Sequence, residues 1–394
     1  MMAVAGLLLA VVGRPNSTVR FATFNASLHR KTEGQLVADL QSPDDPQAQR
    51  VAEIIQRVRP DVLLLCEFDY DAQQRAAELF QKNYLEVSQH GSQPIFYPFR
   101  FLAPVNTGAP TGLDLNRNGT TDDPADAFGF GEFPGQYAMV VFSMLPIDEQ
   151  GVRTFQKFRW CDMPDALHPM RDDGRPYYSA DAFQLLRLSS KSFWDLPIAV
   201  GNRQVHLLAF HPTPPVFDGR EDANGRRNHD EIRLAADYIS ATKSSYIYDD
   251  RGQPGGIDPL AEFVLAGDLN ADPLDGESHP GAIDQLLHHR RVGHYPAPAS
   301  RGGWFASHAP ATATAGPEHQ GDPRGDTADF GGPDRNLRVD YVLPSAGLRV
   351  LRSGVFWPGP EEPGCRLLSL PNGGPTSDHH LVWVDLELDP RIDR

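Results

Sequence analysis

The chain has 394 residues, 40% of them hydrophobic, so it can bury a substantial core without being divided into two domains. It carries 36 Lys and Arg against 52 Asp and Glu, a formal net charge of −16. This acidity argues against a protein that binds mainly by neutralising a long phosphate backbone, and fits a small phosphate ester or a substrate held through metal ions. The same acidity is also compatible with solubility alone.

The first thirteen residues are almost wholly apolar. They are too short to cross a bilayer and have the length of the hydrophobic part of a secretory signal, but no basic segment precedes them. We expect residues 1–18 to be a signal remnant or a disordered N-terminus. The protein is then secreted or extracytoplasmic, with a cytoplasmic location left open. No other segment reaches the length of a membrane span.

Three cysteines, Cys66, Cys161 and Cys365, are too few for a disulfide framework. Cys66 continues the apolar run 62–65 and is predicted to be buried. Cys161 and Cys365 lie in segments that contain Pro and Gly, so one disulfide between them is compatible with export.

The first predicted elements alternate between strand and helix. Residues 19–24 are rich in β-formers and end at Asn25. Residues 47–58 repeat apolar side chains at helical spacing, and residues 61–66 form a buried strand that ends at Glu67. The order strand, helix, strand is the opening of an α/β fold.

Long polar excursions at 91–136 and 295–336 separate the later elements and are predicted to be large surface loops. A hairpin is predicted around the pair Gly201-Asn202, and its second strand ends at His211. The other predicted strands are 137–142, 263–266, 339–343 and 381–388, the hairpin arms are 198–200 and 205–210, and the predicted helices are 229–241 and 283–288.

Polar side chains recur at or just beyond the predicted strand ends. Any one of them could be a strand-end cap or a solvated turn residue. Their recurrence favours a shared site, because strand ends hold side chains at fixed spacing over a cleft. Carboxylate oxygens are also the ligands that Mg²⁺ takes in proteins. The eight positions are Asn25, Glu67, His211, Asp268, Asn270, Asp340, Asp378 and His379.

The motifs that carry these residues include Gly267-Asp268-Leu269-Asn270, Val339-Asp340-Tyr341-Val342 and Ser377-Asp378-His379. In order and spacing they resemble the endonuclease/exonuclease/phosphatase superfamily, which has the deoxyribonuclease I-like fold. The resemblance implies an α/β (α+β) four-layer sandwich, in which two packed mixed β-sheets are flanked by helices and carry long inserted loops. It also implies a single catalytic domain over residues 19–390.

The resemblance implies a role for each position. Glu67 would ligate a catalytic Mg²⁺ or Mn²⁺, and Asn25 and Asp378 would complete or support the metal site. Asp268, held with Asn270, would orient or deprotonate the attacking water.

Three further roles come from the same resemblance. His379 would face the scissile phosphate with its ring aligned by Asp340, and His211 would donate to a non-bridging oxygen. The family often has Pro two residues after this His. Here His380 and Leu381 follow, so either histidine could fill the position. We assign it to His379, which directly follows Asp378, and treat His380 as a supporting or surface residue.

A second pattern predicts a calcium loop at residues 114–126, with oxygen-bearing side chains at alternate positions and Gly119 at the sixth. The twelfth position is Ala125 rather than Glu, and Asp123 or Asp126 would have to substitute. The alternative is a polar turn that binds no ion. The candidate ligands are Asp114, Asn116, Asn118, Asp122 and Asp123.

Basic residues near the predicted strand ends are candidates for contact with substrate phosphate. Arg220, Arg226 and Arg227 follow the strand that ends at His211, and Lys191 lies between two serines. The alternative is a solvated surface.

We therefore predict a divalent-metal-dependent phosphoesterase that acts on a phosphodiester or phosphomonoester in a small molecule, a lipid headgroup or a nucleic acid. A secreted nuclease for DNA or RNA is the alternative within this class. A non-catalytic calcium-binding module is the alternative outside it. The sequence shows no sign of a protein partner.

Overall fold

Two β-sheets packed face to face form the framework of the protein. The structure is a computed structural model that describes residues 17–308, 319–331 and 335–389. Sheet one has six strands and sheet two has five. Most of the predicted signal remnant and parts of the 295–336 excursion lie outside the described residues.

The strands are β1 (Thr18–Leu28), β2 (Val62–Phe68), β3 (Phe99–Phe101), β4 (Met139–Ser143), β5 (Arg153–Thr154), β6 (Phe193–Val200), β7 (Arg203–Phe210), β8 (Glu262–Asp268), β9 (Ala328–Asp329), β10 (Asn336–Leu337), β11 (Asp340–Pro344), β12 (Val350–Val355) and β13 (Val382–Glu387). The α-helices are α1 (Gln35–Asp39), α2 (Pro46–Val58), α3 (Arg75–Phe80), α4 (Ala180–Leu185), α5 (Ala223–Tyr238), α6 (Asp284–Leu287) and α7 (Arg301–Ser307). Sheet one has the strand order β12-β13-β1-β2-β4-β3, and sheet two has the order β11-β8-β7-β6-β5. A short pair, β9 and β10, forms a separate ribbon.

Alternation along β2 shows how the layers form. Val62 and Leu64 face sheet two in the core between the sheets, whereas Leu63 and Leu65 face outwards towards α2. On the other side, the apolar stripe of α5 that includes Ile232 packs on the outer face of sheet two. The layers are therefore helix, sheet, sheet and helix, and the predicted four-layer sandwich of two mixed sheets is confirmed.

Local sequence explains where α2 begins and ends. The Asp45 side chain accepts a hydrogen bond from the Ala48 N–H at 2.7 Å, and Pro46 occupies the first helical position. Arg59 then ends the helix in a left-handed conformation, with φ at 53°. The predicted helix at 47–58 is confirmed within one residue.

Other elements differ from the prediction. The hairpin around Gly201-Asn202 is confirmed, but its first arm begins at Phe193 and not at residue 198. The excursion 91–136 contains the short strand β3, and β12 was not predicted. α5 begins at Ala223 and not at residue 229, because its polar first turns contact loops and not the apolar core.

The cysteines are all free. Cys66 is buried, as predicted. Cys161 packs beside the sheet-two core, whereas Cys365 opens a short helical turn whose Leu367 belongs to the core under α2. The suggested disulfide between Cys161 and Cys365 is therefore wrong, because the two residues lie on opposite outer layers. Within the described ranges, no helix is long and apolar enough to span a membrane.

A cross-strand ion pair gives a test of the sheet-one edge. Arg20 on β1 donates to the fully buried Asp385 on β13 through Nε at 2.7 Å and Nη2 at 2.8 Å. Asp385→Ala leaves this guanidinium without its carboxylate, so the free energy of unfolding should fall by about 3 kcal/mol. Chemical denaturation measures the change. The matched control, Glu387→Ala on the same strand, removes the exposed pair with Arg349 and should cost less than about 1 kcal/mol. Equal losses would contradict the prediction.

Candidate active site

Strand ends from both sheets meet at one edge of the sandwich. β1 and β2 run parallel, so Asn25 and Glu67 leave sheet one at the same edge. β7 and β8 also run parallel, so His211 and Asp268 leave sheet two together. β11 is antiparallel to β8 and pairs Asp340 directly with Asp268.

Asp268 lies at the centre of the site. Its Oδ2 accepts a hydrogen bond from Asn25 Nδ2 at 3.0 Å, and lies 3.4 Å from His211 Nε2 and 3.6 Å from His379 Nε2. His379 Nδ1 lies 2.9 Å from Asp340 Oδ2. All five residues are buried. The structure therefore brings together five of the eight predicted positions in one cluster from both sheets.

Glu67 is partly exposed to solvent, with 22% of its side chain accessible, and Asn270 and Asp378 are also only partly buried. Its backbone is left-handed, with φ at 57°. Its Oε2 lies 2.9 Å from His29 Nδ1, and the ring of Tyr137 packs on that imidazole at 4.6 Å. Burial raises the pKa of Glu67, but the hydrogen bond and the charge of His29, together with the charge of His379, outweigh it and hold that pKa below its usual value. Glu67 is therefore an ionised carboxylate at neutral pH.

The buried groups divide into proton donors and acceptors. Burial, with the charges of Asp340 and Glu67, raises the pKa of Asp268 to about 7. Burial lowers the pKa of both histidines. For His379 the charges of Asp340 and Asp268 overcome this and raise the pKa well above 6.5, whereas the pKa of His211 falls well below 6.5, also because Lys191 is near. His379 is therefore protonated and His211 is neutral.

Asn270 and Asp378 lie beside the cluster. The Asn270 N–H donates to Asp268 Oδ1 at 3.0 Å, and its Nδ2 donates to the Pro212 carbonyl at 3.1 Å. Asp378 Oδ1 accepts from Ser27 Oγ at 3.2 Å. Among the described residues, no hydrogen bond or ion pair joins Asp378 to the other predicted metal ligands, Asn25 and Glu67.

Ser377 fixes the loop that carries His379. Its Oγ donates to the Asn25 carbonyl at 2.7 Å and accepts from the His379 N–H at 3.1 Å. The neighbouring His380 is buried and stacks on Trp357 with ring centroids 3.8 Å apart. The geometry therefore places His379 in the site, and the suggestion that His380 is a surface residue is wrong.

Sequence reasoning missed His29 and gave Lys191 too little weight. His29 lies four residues beyond Asn25, and this proximity was the available signal. Lys191 is only 6% exposed. Burial lowers its pKa, opposed by the charges of Glu231, Glu67 and Asp268. Within the described part of the chain, its ammonium group makes no hydrogen bond or ion pair.

The three arginines predicted to meet phosphate do not join the cluster. Arg227 donates to backbone carbonyls, among them that of Leu188 at 2.8 Å. Arg226 lies 3.9 Å from Asp222 on its own helix. Arg220 is largely exposed. The solvated-surface alternative therefore fits Arg220, whereas Arg227 is bonded to backbone carbonyls and lies 3.9 Å from the buried Glu231.

The carboxylates of the site fit a hard divalent cation. Asp268, Asp340 and His379 each place one atom within 4.8 Å of the others. The carboxylates are the ligands that this group offers, because a protonated imidazole has no free lone pair. Asp340 Oδ1 is buried with no hydrogen-bond partner. A cation would offset the carboxylate repulsion that raises the pKa of Asp268.

The predicted calcium loop forms an exposed turn. Asp114 accepts hydrogen bonds from the N–H groups of Asn118 and Gly119, each at 3.0 Å, and Gly119 has φ at +91°. The side-chain amides of Asn116 and Asn118 donate to Asp123 Oδ2.

Asp126 packs against the buried side of this loop. It is buried, and its Oδ1 accepts from the Leu115 N–H at 2.7 Å, between the first two predicted ligands. Its Oδ2 has no hydrogen-bond partner. Asp126, and not Asp123, therefore has a carboxylate oxygen that accepts no hydrogen bond and is available to an ion.

Comparison with known families agrees with this geometry. The model of the Endonuclease/Exonuclease/phosphatase family matches residues 22–379, nearly the whole chain. The protein belongs to this family. Members of the endonuclease/exonuclease/phosphatase superfamily are hydrolases that act on phosphoester bonds, and the protein is an enzyme of this class. No curated protein matches the sequence significantly.

Solved structures share the fold at low identity. An endonuclease/exonuclease/phosphatase from Beutenbergia cavernae is 18% identical, with a TM-score of 0.50 over 94% of this chain and 72% of that one. Truncated TDP2 from Caenorhabditis elegans is 15% identical, with a TM-score of 0.43 over 94% and 97%. Sphingomyelinase C from Streptomyces griseocarneus is 16% identical, with a TM-score of 0.46 over 93% and 99%. The first of these supports the family fold.

The Asp340–His379 pair predicts a pH dependence in the metal-free protein. Asp340→Asn removes the charge that raises the pKa of His379, so that pKa should fall. A raised folded-state pKa stabilises the fold below the pKa of unfolded histidine, and this stabilisation is lost as pH rises through the folded-state value. Asp340→Asn should therefore lower the free energy of unfolding more at about pH 6 than at a pH above the folded-state pKa of His379.

Nuclear magnetic resonance titration of the imidazole signals measures this pKa. His29 is the internal control, because its partner is Glu67 and its titration should not change. An unchanged His379 titration in the variant would show that Asp340 does not set its protonation.

Proposed function

We propose that the protein is a divalent-metal-dependent phosphoesterase that cleaves a phosphodiester or phosphomonoester bond by in-line attack of water. One observation carries the proposal. A single carboxylate, Asp268, lies within 3.6 Å of an amide, a neutral imidazole and a charged imidazole that come from both sheets. This arrangement holds a base and an acid around one point.

The roles follow from the protonation states. Asp268, with a pKa of about 7, accepts the proton of the attacking water, and Asn270 caps its second oxygen through a backbone N–H. His379, kept charged by Asp340, donates towards the oxygen that gains negative charge. His211 supplies a further donor to a non-bridging oxygen.

Glu67, Asn25 and the free oxygen of Asp340 would hold Mg²⁺ or Mn²⁺, with Asp378 supporting the site through Ser27. When bound, the cation neutralises charge on the phosphate. The ionised state of Glu67 supports this assignment, because a hard cation requires deprotonated oxygen ligands.

Lys191 is a phosphate-binding residue in this proposal. Lys191 is 6% exposed as a residue, and its ammonium group feels the charges of Glu231, Glu67 and Asp268 but pairs with none of them among the described residues, so a bound anion would stabilise it. A substrate phosphate supplies that anion, and Lys191 acts on it as a point charge.

The substrate is a small-molecule or lipid phosphate ester rather than a nucleic acid. The net charge of −16 supports this choice, as does the failure of Arg220, Arg226 and Arg227 to form a phosphate-binding row at the site. The alternative is a secreted nuclease, whose activity would fall steeply as salt rises.

A panel of phosphomonoesters, phosphodiesters, phospholipids, DNA and RNA, assayed with Mg²⁺, Mn²⁺ or Ca²⁺, tests the proposal. We expect turnover that EDTA abolishes, and a loss of at least about 10²-fold in kcat for Asp268→Asn and His379→Ala. Asp172→Asn changes an exposed carboxylate and should keep full activity. Full activity in Asp268→Asn or in EDTA would refute the mechanism, and DNA cleavage with a steep salt dependence would favour the nuclease.

Lys191→Met separates catalysis from stability. Without the ammonium group, kcat/KM should fall by about 10²-fold, because one preorganised charge on the phosphate is lost. The melting temperature should not fall, because the variant no longer buries an unpaired charge. The control Lys157→Met changes an exposed lysine and should alter neither quantity. A variant with normal kcat/KM would remove Lys191 from the site.

We also propose that residues 114–126 bind Ca²⁺ as a second, structural ion. The unpartnered, buried Asp126 Oδ2 supports this, since it lies beside the turn that carries Asp114 and Asn116. The site lacks a bidentate Glu, so its affinity should resemble that of extracellular modules, with Kd about 10⁻⁴–10⁻³ M.

Calorimetry with Ca²⁺ tests this site. Asp114→Ala and Asp126→Asn should each remove one binding event, whereas Asp268→Asn should retain it. If Asp114→Ala binds Ca²⁺ as the wild type does, the loop is a polar turn without an ion.

A further inference from the structure

The polar first turns of α5 contact the loops that leave sheet two at the active site. Two residues one helical turn apart make these contacts: Asn228 and Glu231. Neither is in the catalytic cluster described above, and both are buried. Asn228 bonds only to backbone groups, whereas Glu231 bonds to backbone groups and also lies 3.5 Å from Ser190 Oγ and 3.9 Å from Arg227 Nε.

Asn228 joins the loops after β7 and β8. Its Nδ2 donates to the Thr213 carbonyl and to the Leu269 carbonyl, each at 2.9 Å. Thr213 lies two residues beyond His211, and Leu269 lies directly after Asp268. The Asn228 amide therefore ties together the loops that carry the neutral imidazole and the central carboxylate, in addition to the bond from Asn270 Nδ2 to the Pro212 carbonyl.

Glu231 joins the loop after β7 to the segment before β6. Its Oε1 accepts from the Thr213 N–H at 3.0 Å, and its Oε2 accepts from the Ser190 N–H at 3.1 Å. Ser190 directly precedes Lys191. The carboxylate therefore sets the position of the buried lysine relative to His211.

Asn228 carries an unsatisfied group at this position. The side chain is 0% exposed, yet its Oδ1 has no hydrogen-bond partner. A buried carbonyl without a donor destabilises a fold, so the benefit of this residue lies in its two donated hydrogen bonds. Among the described residues, no backbone hydrogen bond joins Thr213 to Leu269. The two bonds from Asn228 connect the loops at these residues.

We infer that Asn228 and Glu231 are positioning residues, which hold the backbone at 190, 213 and 269 so that Lys191, His211 and Asp268 keep their catalytic spacing. The inference rests on the proposed function. It assigns to α5 the task of positioning the active-site loops without contacting the substrate. Because a displacement of about 1 Å in a reacting group costs on the order of a hundredfold in rate, small shifts of these loops matter.

The effect of losing a positioning residue should fall on the chemical step. Substrate binding can persist while the base and the phosphate ligand are misplaced, so kcat and kcat/KM should fall together and KM should change little. A residue with a purely structural role would lower the melting temperature and leave the kinetic constants of the folded fraction unchanged.

The test compares two asparagines on the same helix. Asn224 Nδ2 donates to the Val216 carbonyl at 2.7 Å, so it ties α5 to the same loop at a point farther along the chain from His211. Asn228→Ala should lower kcat by about a hundredfold. Asn224→Ala should leave kcat unchanged. In protein labelled with nitrogen-15 in histidine, the His211 ring signals should shift in Asn228→Ala and not in Asn224→Ala, a readout that requires no turnover.

Glu231 provides a second variant if Asn228→Ala does not fold. Glu231→Gln keeps the shape and one acceptor oxygen, whereas Glu231→Ala keeps neither. Glu231→Gln should therefore retain more kcat than Glu231→Ala at a comparable melting temperature. Equal kcat in the two Glu231 variants would overturn this inference and leave the proposed function intact. Equal kcat and equal His211 signals in the two asparagine variants would do the same. A wild-type protein inactive on every phosphoester would overturn the proposed function and this inference with it.

Discussion

The active site depends on the contact between a sheet-one amide and a sheet-two carboxylate. Asn25 and Asp268 are separated by 243 positions, yet their side chains form a buried hydrogen bond of 3.0 Å. This bond exists only if the two sheets pack with their strand ends at the same edge. The apolar residues between the sheets, such as Val62 and Leu64, therefore determine the catalytic geometry although they have no chemical role.

Much of this arrangement could be predicted from sequence because it depends on local patterns. Strand ends follow from apolar runs that stop at polar residues, and the pair Gly201-Asn202 marks a hairpin turn. The ordered motifs then identified the family and the residues that converge on Asp268. The α2 boundaries were predictable because Asp45 and Pro46 mark its start.

Other features could not be predicted because they depend on tertiary contacts. Lys191 and Arg227 are both basic residues near strand ends, but one is buried beside the catalytic carboxylates and the other is bonded to backbone carbonyls. Sequence pattern does not distinguish these outcomes. The first turns of α5 were missed for a similar reason, since their polar side chains face loops and so leave no apolar period. The sequence left His380 open as a supporting or a surface residue, and only the structure shows that the ring of Trp357 covers it.

The partial exposure of Glu67 shows on which side solvent reaches the site. The other members of the cluster around Asp268 are sealed by protein, and Phe330 packs edge-on against His379 with ring centroids 5.4 Å apart. Solvent reaches the cluster on the side of Glu67, His29 and Tyr137. Under the proposed function, a phosphate ester that approaches Glu67 from solvent contacts the rings of His29 and Tyr137. Substitutions at these two rings would then change which ester substituents the site accepts.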